Sequence, residues 1–228
     1  MLVLRLFAKK VISLSLFHTT PPREFFMEVE KNNNSLCRCP WLDLSKPDYV
    51  HYHDEEWGVP VYDDQQLFEY LCLESAQAGL SWYTILKRRQ GYRDAFANFD
   101  LTIVSQYNQN KVDELMLNPE IIRHRGKINA AIVNAQLFIK IQQEFGSFSH
   151  YLWGFVNHKT IVNEYIALDD YPATSPESDA FSKDLKKRGF KFVGSTICYA
   201  YMQACGLVND HSLDCYKRKQ IIEKYQQC

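Results

Sequence analysis

The run Thr174-Ser175-Pro176-Glu177, followed by Leu185-Lys186-Lys187-Arg188-Gly189-Phe190-Lys191-Phe192-Val193-Gly194-Ser195-Thr196, carries the clearest local grammar in the chain. Ser175-Pro176-Glu177 reads as a capping-box start with proline at the first helical position, where its missing N–H costs nothing. That helix runs to Arg188, and Gly189 supplies a left-handed stop. Gly189 to Gly194 forms a short hairpin, which two glycines allow to turn tightly. Ser195 then caps a second helix, Thr196 to Cys205, closed by Gly206. The unit is helix, Gly-bounded hairpin, helix.

The same punctuation extends upstream. Asp63-Asp64 caps a helix with an apolar face of Leu67, Phe68, Leu71 and Cys72 that ends near Ala78-Gly79. Ser81 caps the next, which buries Trp82, Ile85 and Leu86 and turns out Lys87-Arg88-Arg89. A long helix from Lys127 to Phe145 places Ile128, Ile132, Ala135 and Ile139 on one stripe, closed by Gly146. Tyr151 to Val156 reads as a short buried helix, and Asn157 to Tyr171 as polar loop. No sustained period-two alternation supports a sheet, so the expected class is all-α.

Composition bounds the function. The 228 residues carry 26 Lys+Arg against 27 Asp+Glu, a net charge of -1, with 46% apolar and 14% aromatic residues. This suits a well-packed globular protein and excludes a polybasic nucleic-acid coat, though not a local basic face. No stretch approaches the roughly 18–20 consecutive apolar residues of a membrane span. The 7 cysteines are an odd set, mostly inside apolar segments, which suits reduced thiols and a cytoplasmic setting. Residues 1–35, basic at first and then polar, read as a leader or as sequence upstream of the true start, with Met27 a second candidate. Residues 36–228 read as a single helical domain.

Three constellations could carry chemistry. The N-terminus of the helix beginning at Gly194-Ser195 is a seat for a phosphate, with Lys183, Lys186, Lys187, Arg188 and Lys191 around it. Lys87, Arg88, Arg89 and Arg93, and Arg123, Arg125 and Lys127, form two further basic clusters. Any one of them reads equally well as a solvated helix end; together with the hairpin they favour DNA-backbone contact. The second constellation is His211 and Cys215, four residues apart, with Cys39 and His53 far upstream. Two thiolates and two imidazoles make a closed tetrahedral zinc set. Spacing alone leaves open a core histidine beside a buried thiol, and Cys37 competes with Cys39. In the third, Tyr49, Tyr52, Trp57 and Trp82 are interleaved with carboxylates. They offer faces on which a flat, electron-poor ring can stack, although plain core packing is the commoner reason for such aromatics. Glu74 sits among apolar neighbours, so it is either a functional acceptor or the partner of a nearby base.

From Cys39 to Cys215 the chain resembles the 3-methyladenine DNA glycosylase I family of the helix-hairpin-helix superfamily. The matching runs include Tyr52-His53-Asp54-Glu55-Glu56-Trp57-Gly58-Val59-Pro60, Gln77-Ala78-Gly79-Leu80-Ser81-Trp82, Ile121-Ile122-Arg123-His124-Arg125-Gly126-Lys127-Ile128, Leu185 to Gly194, and Met202 to His211. The resemblance implies a helix-hairpin-helix glycosylase fold, two helical lobes around a base pocket, and one structural Zn2+ on Cys39, His53, His211 and Cys215 that ties the N- and C-terminal segments together. It also implies that Glu74 reads the excised base, that Tyr52 and Trp82 stack on it, and that Tyr49 lines the pocket. Lys191, Gly194 and Ser195 are expected at the DNA backbone. The chain departs from the family in its leader, in one extra residue between Cys39 and His53, and in Ala76 where the family has a polar residue.

The expected reaction is monofunctional hydrolysis of the N-glycosidic bond, releasing 3-methyladenine from alkylated double-stranded DNA after base flipping. A methylated adenine cation is already a good leaving group, so little acid catalysis is needed. Ser195-Thr196-Ile197 offers no lysine for a Schiff base, hence no strand-nicking activity is expected. Glu74 and Asp210 are the candidate catalytic carboxylates. Asp210 stands where the superfamily commonly places an acid to stabilise the sugar cation, but its place beside His211 also suits a capping role or support of the zinc ligands. The protein is expected to act as a monomer with no membrane partner. A zinc-stapled, non-catalytic DNA-binding module would not need the pocket with Glu74, and a zinc hydrolase would need an open coordination position.

Overall fold

The computed structural model describes residues 36–225; the leader expected at residues 1–35 lies outside them. Helix α1 spans Pro47–Glu55, α2 Asp64–Gln77, α3 Trp82–Leu86, α4 Arg89–Ala95, α5 Leu101–Val104 and α6 Gln109–Leu115. They are followed by α7 Arg125–Phe145, α8 Phe148–Gly154, α9 Pro176–Arg188, α10 Ser195–Ala204 and α11 Tyr216–Tyr225. Side-chain caps set most of the starts. Asp63 accepts from the Gln66 N–H, Ser81 from Thr84, Asn108 from Lys111, Ser147 from His150 and Ser175 from Ser178.

Helix α2 is the axis of the molecule. Leu67 through Ala76 are all buried, including Glu69 and Glu74, because other helices cover it on every side. Phe68 meets Phe138 of α7 at 5.5 Å between ring centroids, and Tyr201 of α10 donates to the Leu67 carbonyl at 3.0 Å. On α7 the expected stripe is buried at Ile128, Ile132 and Ala135, whereas Ile139 is only half-buried. Phe138 and Ile141 complete the core face instead.

The expected loop at 157–171 contains one short strand. Ile161–Val162 pairs in parallel with Val208–Asn209, register Ile161↔Val208 and Val162↔Asn209. Two residues are too few for any alternation to show in sequence. The strand pairing carries the 163–172 segment across to the end of α10.

The α9–turn–α10 unit forms as expected at its first end, where Gly189 adopts φ +102° and donates to the Leu185 and Lys186 carbonyls. At the second end the cap is Gly194 and not Ser195, which is the first helical residue, and no side chain caps α10. The connection contains no strand. Three side chains fix it instead: buried Asn134 exchanges two hydrogen bonds with the Lys191 backbone (2.9 and 3.0 Å), Ser182 donates to the Val193 carbonyl (2.6 Å) and Ser75 to that of Phe192 (3.2 Å). Past α10, Gly206 at φ +73° lies so close to Val59 and Pro60 that a Cβ would come within 2.4 Å of their backbone. The Gly58 and Val61 N–H groups donate to the Gln203 and Cys205 carbonyls there, each at 3.0 Å.

Candidate active site and metal centre

A cavity of about 270 Å³ opens between α1, α2, α3 and α10. Tyr49 and Tyr52 enter it from one face of α1, being three residues apart, and Trp82 enters from the first turn of α3, where the Ser81 cap fixes the helix start. Glu74 and Gln77 reach it from α2, Gln203 from α10, and Tyr171 from the stretch after the 3₁₀ turn Leu168–Asp170. The Tyr52 and Trp82 rings lie 5.1 Å apart, Tyr49 and Tyr52 6.5 Å, and Trp41 meets Trp57 edge-on at 4.8 Å. The expected residues Tyr49, Tyr52, Glu74 and Trp82 therefore converge in one place.

Glu74 is 3% exposed, and burial pushes its carboxyl up to about 8. Of the two expectations for this residue, pairing with a nearby base is not met: its Oε2 is buried without a partner. Two more cavity-lining groups, Trp41 Nε1 and Trp82 Nε1, are buried and equally unpartnered. Tyr49 is held up at about 12 and Tyr52 well above its ordinary value, both by burial first, so both phenols are neutral. The cavity thus offers aromatic faces, two N–H donors and one carboxyl, none satisfied by the protein. Its volume lies just below the roughly 300 Å³ at which ligand pockets begin, which suits a ligand of about two fused rings.

Next to the cavity, Cys39, His53, His211 and Cys215 bring their ligand atoms within 4.8 Å of one another, all four buried. Sulfur to nitrogen separations are 3.4 Å for Cys39–His211, 3.4 Å for Cys215–His211 and 3.6 Å for Cys215–His53. Tetrahedral zinc bonds of about 2.3 Å to sulfur and 2.0–2.1 Å to nitrogen put ligand atoms about 3.5 Å apart, so the residues fit such an ion. The remaining ring nitrogens are held from behind, His53 Nδ1 by Asp54 (2.8 Å) and His211 Nε2 by the Trp57 carbonyl (2.9 Å), which aims the free nitrogens inward. Cys37 is excluded from the set; it is exposed and donates to Asp214 at 3.0 Å.

Asp210 stands behind the cavity wall. It is 1% exposed; its Oδ1 accepts from Asn163 (2.6 Å) and its Oδ2 from Tyr199 (2.7 Å) and Gln203 (2.8 Å). Gln203 lines the cavity and Asp210 does not.

The basic clusters separate into outward and inward charges. Lys191 is exposed beside Gly194 and Ser195 at the N-terminus of α10, as expected. Arg89, expected on the surface, is 8% exposed and pairs with Glu56 and Glu69, with Arg93 also on Glu69. Lys127 caps the end of α2 by donating to the Ala76 and Ala78 carbonyls at 2.8 and 2.7 Å, and Arg188 pairs with Glu144 and Asp184. Glu56 and buried Glu69 claim Arg89, backbone carbonyls claim Lys127, and Glu144 with the neighbouring Asp184 claims Arg188, which counting charges along the chain could not show. Sequence reasoning also assigned no pocket role to Trp41, Gln77, Tyr171 or Gln203. Tyr171 carried no signal, because it reaches the cavity from the segment that follows the parallel strand pair, and Gln203 faces it from the last turn of α10, where packing against distant α1 and α2 decides which side lines the cavity.

Residues 41–219 match the family described as Methyladenine glycosylase. Over 178 residues the chain is 51% identical to the DNA-3-methyladenine glycosylase 1 of Escherichia coli, spanning 78% of this chain and 95% of that one. It is 48% identical to the DNA-3-methyladenine glycosylase of Haemophilus influenzae, over 78% of this chain and 96% of that one. Among solved structures it is similar to a 3-methyladenine DNA glycosylase I at 49% identity and a TM-score of 0.77, covering 79% of this chain and 98% of the other. A variant of such an enzyme in complex with 3-methyladenine superposes with a TM-score of 0.77 at 40% identity, covering 79% and 97%.

Proposed function

This chain belongs to the methyladenine glycosylase family, and from that premise we propose that it excises 3-methyladenine from alkylated double-stranded DNA by monofunctional hydrolysis of the N-glycosidic bond. The observation that carries the reading is the set of unsatisfied atoms in the aromatic cavity: Glu74 Oε2, Trp41 Nε1 and Trp82 Nε1. Buried polar atoms without partners are costly, and a flipped purine would satisfy them. Its exocyclic amine donates to Glu74, its ring acceptors face the indole N–H groups, and its faces lie against Tyr52 and Trp82.

Discrimination follows from charge. A base methylated at N3 and still attached to deoxyribose is a cation, and it favours both the aromatic faces and the ionised form of Glu74. Undamaged adenine brings no charge and leaves Glu74 neutral at pH 7, given its elevated pKa of about 8. The weakened glycosidic bond then needs mainly orientation, exclusion of solvent and electrostatic stabilisation of the sugar cation. None of the residues lining the cavity is a lysine, which supports hydrolysis without strand cleavage.

The α9–turn–α10 unit serves in this reading as the helix-hairpin-helix contact with the DNA backbone. Lys191 and the uncapped N–H groups at Gly194 and Ser195 face one phosphate. Asp210 acts by positioning Gln203 and Tyr199 rather than by touching the sugar, since its oxygens already accept three hydrogen bonds. Cys39, His53, His211 and Cys215 would hold one Zn2+ whose four protein ligands close the shell. When bound it supplies a cross-link between the N- and C-terminal segments of a single helical domain.

The deciding experiment is chromatography of bases released from methylated duplex DNA by the purified protein, with Glu74→Ala as control and strand integrity followed in parallel. Release of 3-methyladenine by the native chain with strands intact is expected. Absence of release from a folded, DNA-binding protein would overturn the reading.

A further inference from the structure

The end of α7, helix α8 and helix α9 enclose a second cavity, an open groove of about 590 Å³ that shares no lining residue with the aromatic cavity of about 270 Å³. One wall is apolar: Phe145 from the last position of α7, Tyr151 and Gly154 from α8, and Phe155 just after it. Phe145 is 36% exposed and Phe155 half-buried, so the fold leaves ring surface open to water there. Helix α9 supplies the other wall, and its charges divide into two kinds. Arg188 lies 5.2 Å from the Phe145 and Tyr151 ring centroids and pairs with Glu144 and Asp184, while Asp184 also accepts from the Tyr151 hydroxyl at 2.8 Å. These groups answer one another. Lys183 and Lys187 line the same groove, are exposed, and form no ion pair or hydrogen bond among the described residues.

An apolar wall facing two unanswered cations selects a ligand that is apolar on one side and acidic on the other. Spacing narrows the choice further. Lys183 and Lys187 stand four residues apart on one helix, which is about 6 Å along its axis. In an extended chain, alternate side chains recur on one side about every 6.6 Å, and the side chain between them points the other way. An acid–apolar–acid segment laid along α9 therefore sets its two carboxylates against the lysines and its middle side chain on the rings of α7 and α8. We propose that this groove docks a partner protein through such a segment, extended, with an aromatic or branched aliphatic side chain between two carboxylates. Duplex DNA offers charges for the lysines but no apolar side chain for Phe145 and Phe155. Lys187 and Arg188 run directly into Gly189 and the turn that carries Lys191, so the docked partner sits beside the face assigned to DNA. The groove and the aromatic cavity are tested separately, because they have no residue in common.

The test titrates the full chain into a fluorescein-labelled peptide in which aspartate alternates with phenylalanine and leucine, read by anisotropy. A peptide of the same composition with its aspartates grouped at one end, and a short labelled duplex, serve as comparisons. Saturable binding of the alternating peptide is expected, at least about five-fold tighter than that of the grouped one, because only the first matches both walls. A Cβ at Gly154 meets no atom within 4 Å, so Gly154→Leu fills the groove without pressing on the core. That variant should bind the peptide at least about ten-fold more weakly, since the anchor side chain loses its seat, while release of 3-methyladenine is unchanged. Lys183→Glu combined with Lys187→Glu should weaken the peptide by at least about ten-fold as well, attraction having become repulsion at two points. If Gly154→Leu does not fold, this surface pair decides. Absence of binding by the alternating peptide, or binding that both variants leave intact, would overturn the proposal. Loss of duplex affinity in Gly154→Leu as large as the loss of peptide affinity would assign the groove to DNA instead. Concentration-dependent dimers of the wild type that Gly154→Leu abolishes, seen by sedimentation, would assign it to a second copy of this chain.

Discussion

An acid inside an aromatic cavity is an unstable arrangement unless something answers it, and the buried Oε2 of Glu74 has no partner within the protein. Burial raises its carboxyl from 4.5 to about 8, above its value in the unfolded chain. The folded state therefore holds the proton more tightly, and the stability this confers is complete below about pH 4 and lost as pH rises through about 8. The loss amounts to a few kcal/mol at most. Glu74→Gln should consequently be more stable than wild type above about pH 8 and no different near pH 4, as read by thermal unfolding across that range. The same variant should bind and excise 3-methyladenine at least about ten-fold more weakly, because an amide cannot balance a cationic ring. A Glu74→Gln protein equally stable but fully active would remove the carboxylate from recognition.

The turn between α9 and α10 shows how an element acquires its shape from outside itself. Its glycines and the Ser175 start are local signals, but the tip is fastened by Asn134, a polar residue in the middle of the apolar face of α7. Asn134→Ala orphans two backbone groups of Lys191 and should cost about 1–3 kcal/mol of stability. Its duplex affinity should fall while binding of the free base is retained, a contrast measurable by fluorescence anisotropy beside base titration. Lys191→Ala should lower affinity evenly across DNA sequences and reduce the slope of log K against log salt by about one. An unchanged slope would place the phosphate elsewhere.

Across the whole molecule, stability depends on long-range ties between segments that sequence order keeps apart. The Cys39–His53–His211–Cys215 cluster joins residues 172 positions apart in the Cys39–His211 contact alone. A chelator that removes a bound Zn2+ should lower the unfolding temperature and open the segment around Cys39 to proteolysis before the α2–α7 core. The second tie is the pair of acids Glu56 and Glu69 around Arg89, which joins α4 to α2 and to the residue that ends α1. Arg89→Ala takes the only cation paired with Glu56 among the described residues, leaves Glu69 with Arg93 alone, and should cost up to about 3–5 kcal/mol, whereas Arg89 read as a surface charge would cost nearly nothing. Chemical denaturation separates the two cases.

Helix starts, stops and core faces were legible because they are local: Asp63, Ser81, Ser175, Gly146 and Gly189 act on backbone groups within a turn of themselves. The ligand set Cys39, His53, His211 and Cys215 and the pocket residues Tyr49, Tyr52, Glu74 and Trp82 were named from long matching runs. Spacing alone left Cys37 competing with Cys39 and left Glu74 with two meanings. Tertiary structure decided both, by turning Cys37 out to Asp214 and by leaving Glu74 without any cation. It also decided which basic residues remain free for DNA, and it brought Tyr171 and Gln203 into the wall. The physical reason is the range of the forces involved: caps and periodicity are settled within a few residues, whereas the partner of a buried charge or an orphaned hydroxyl is set by whichever distant segment packs against it.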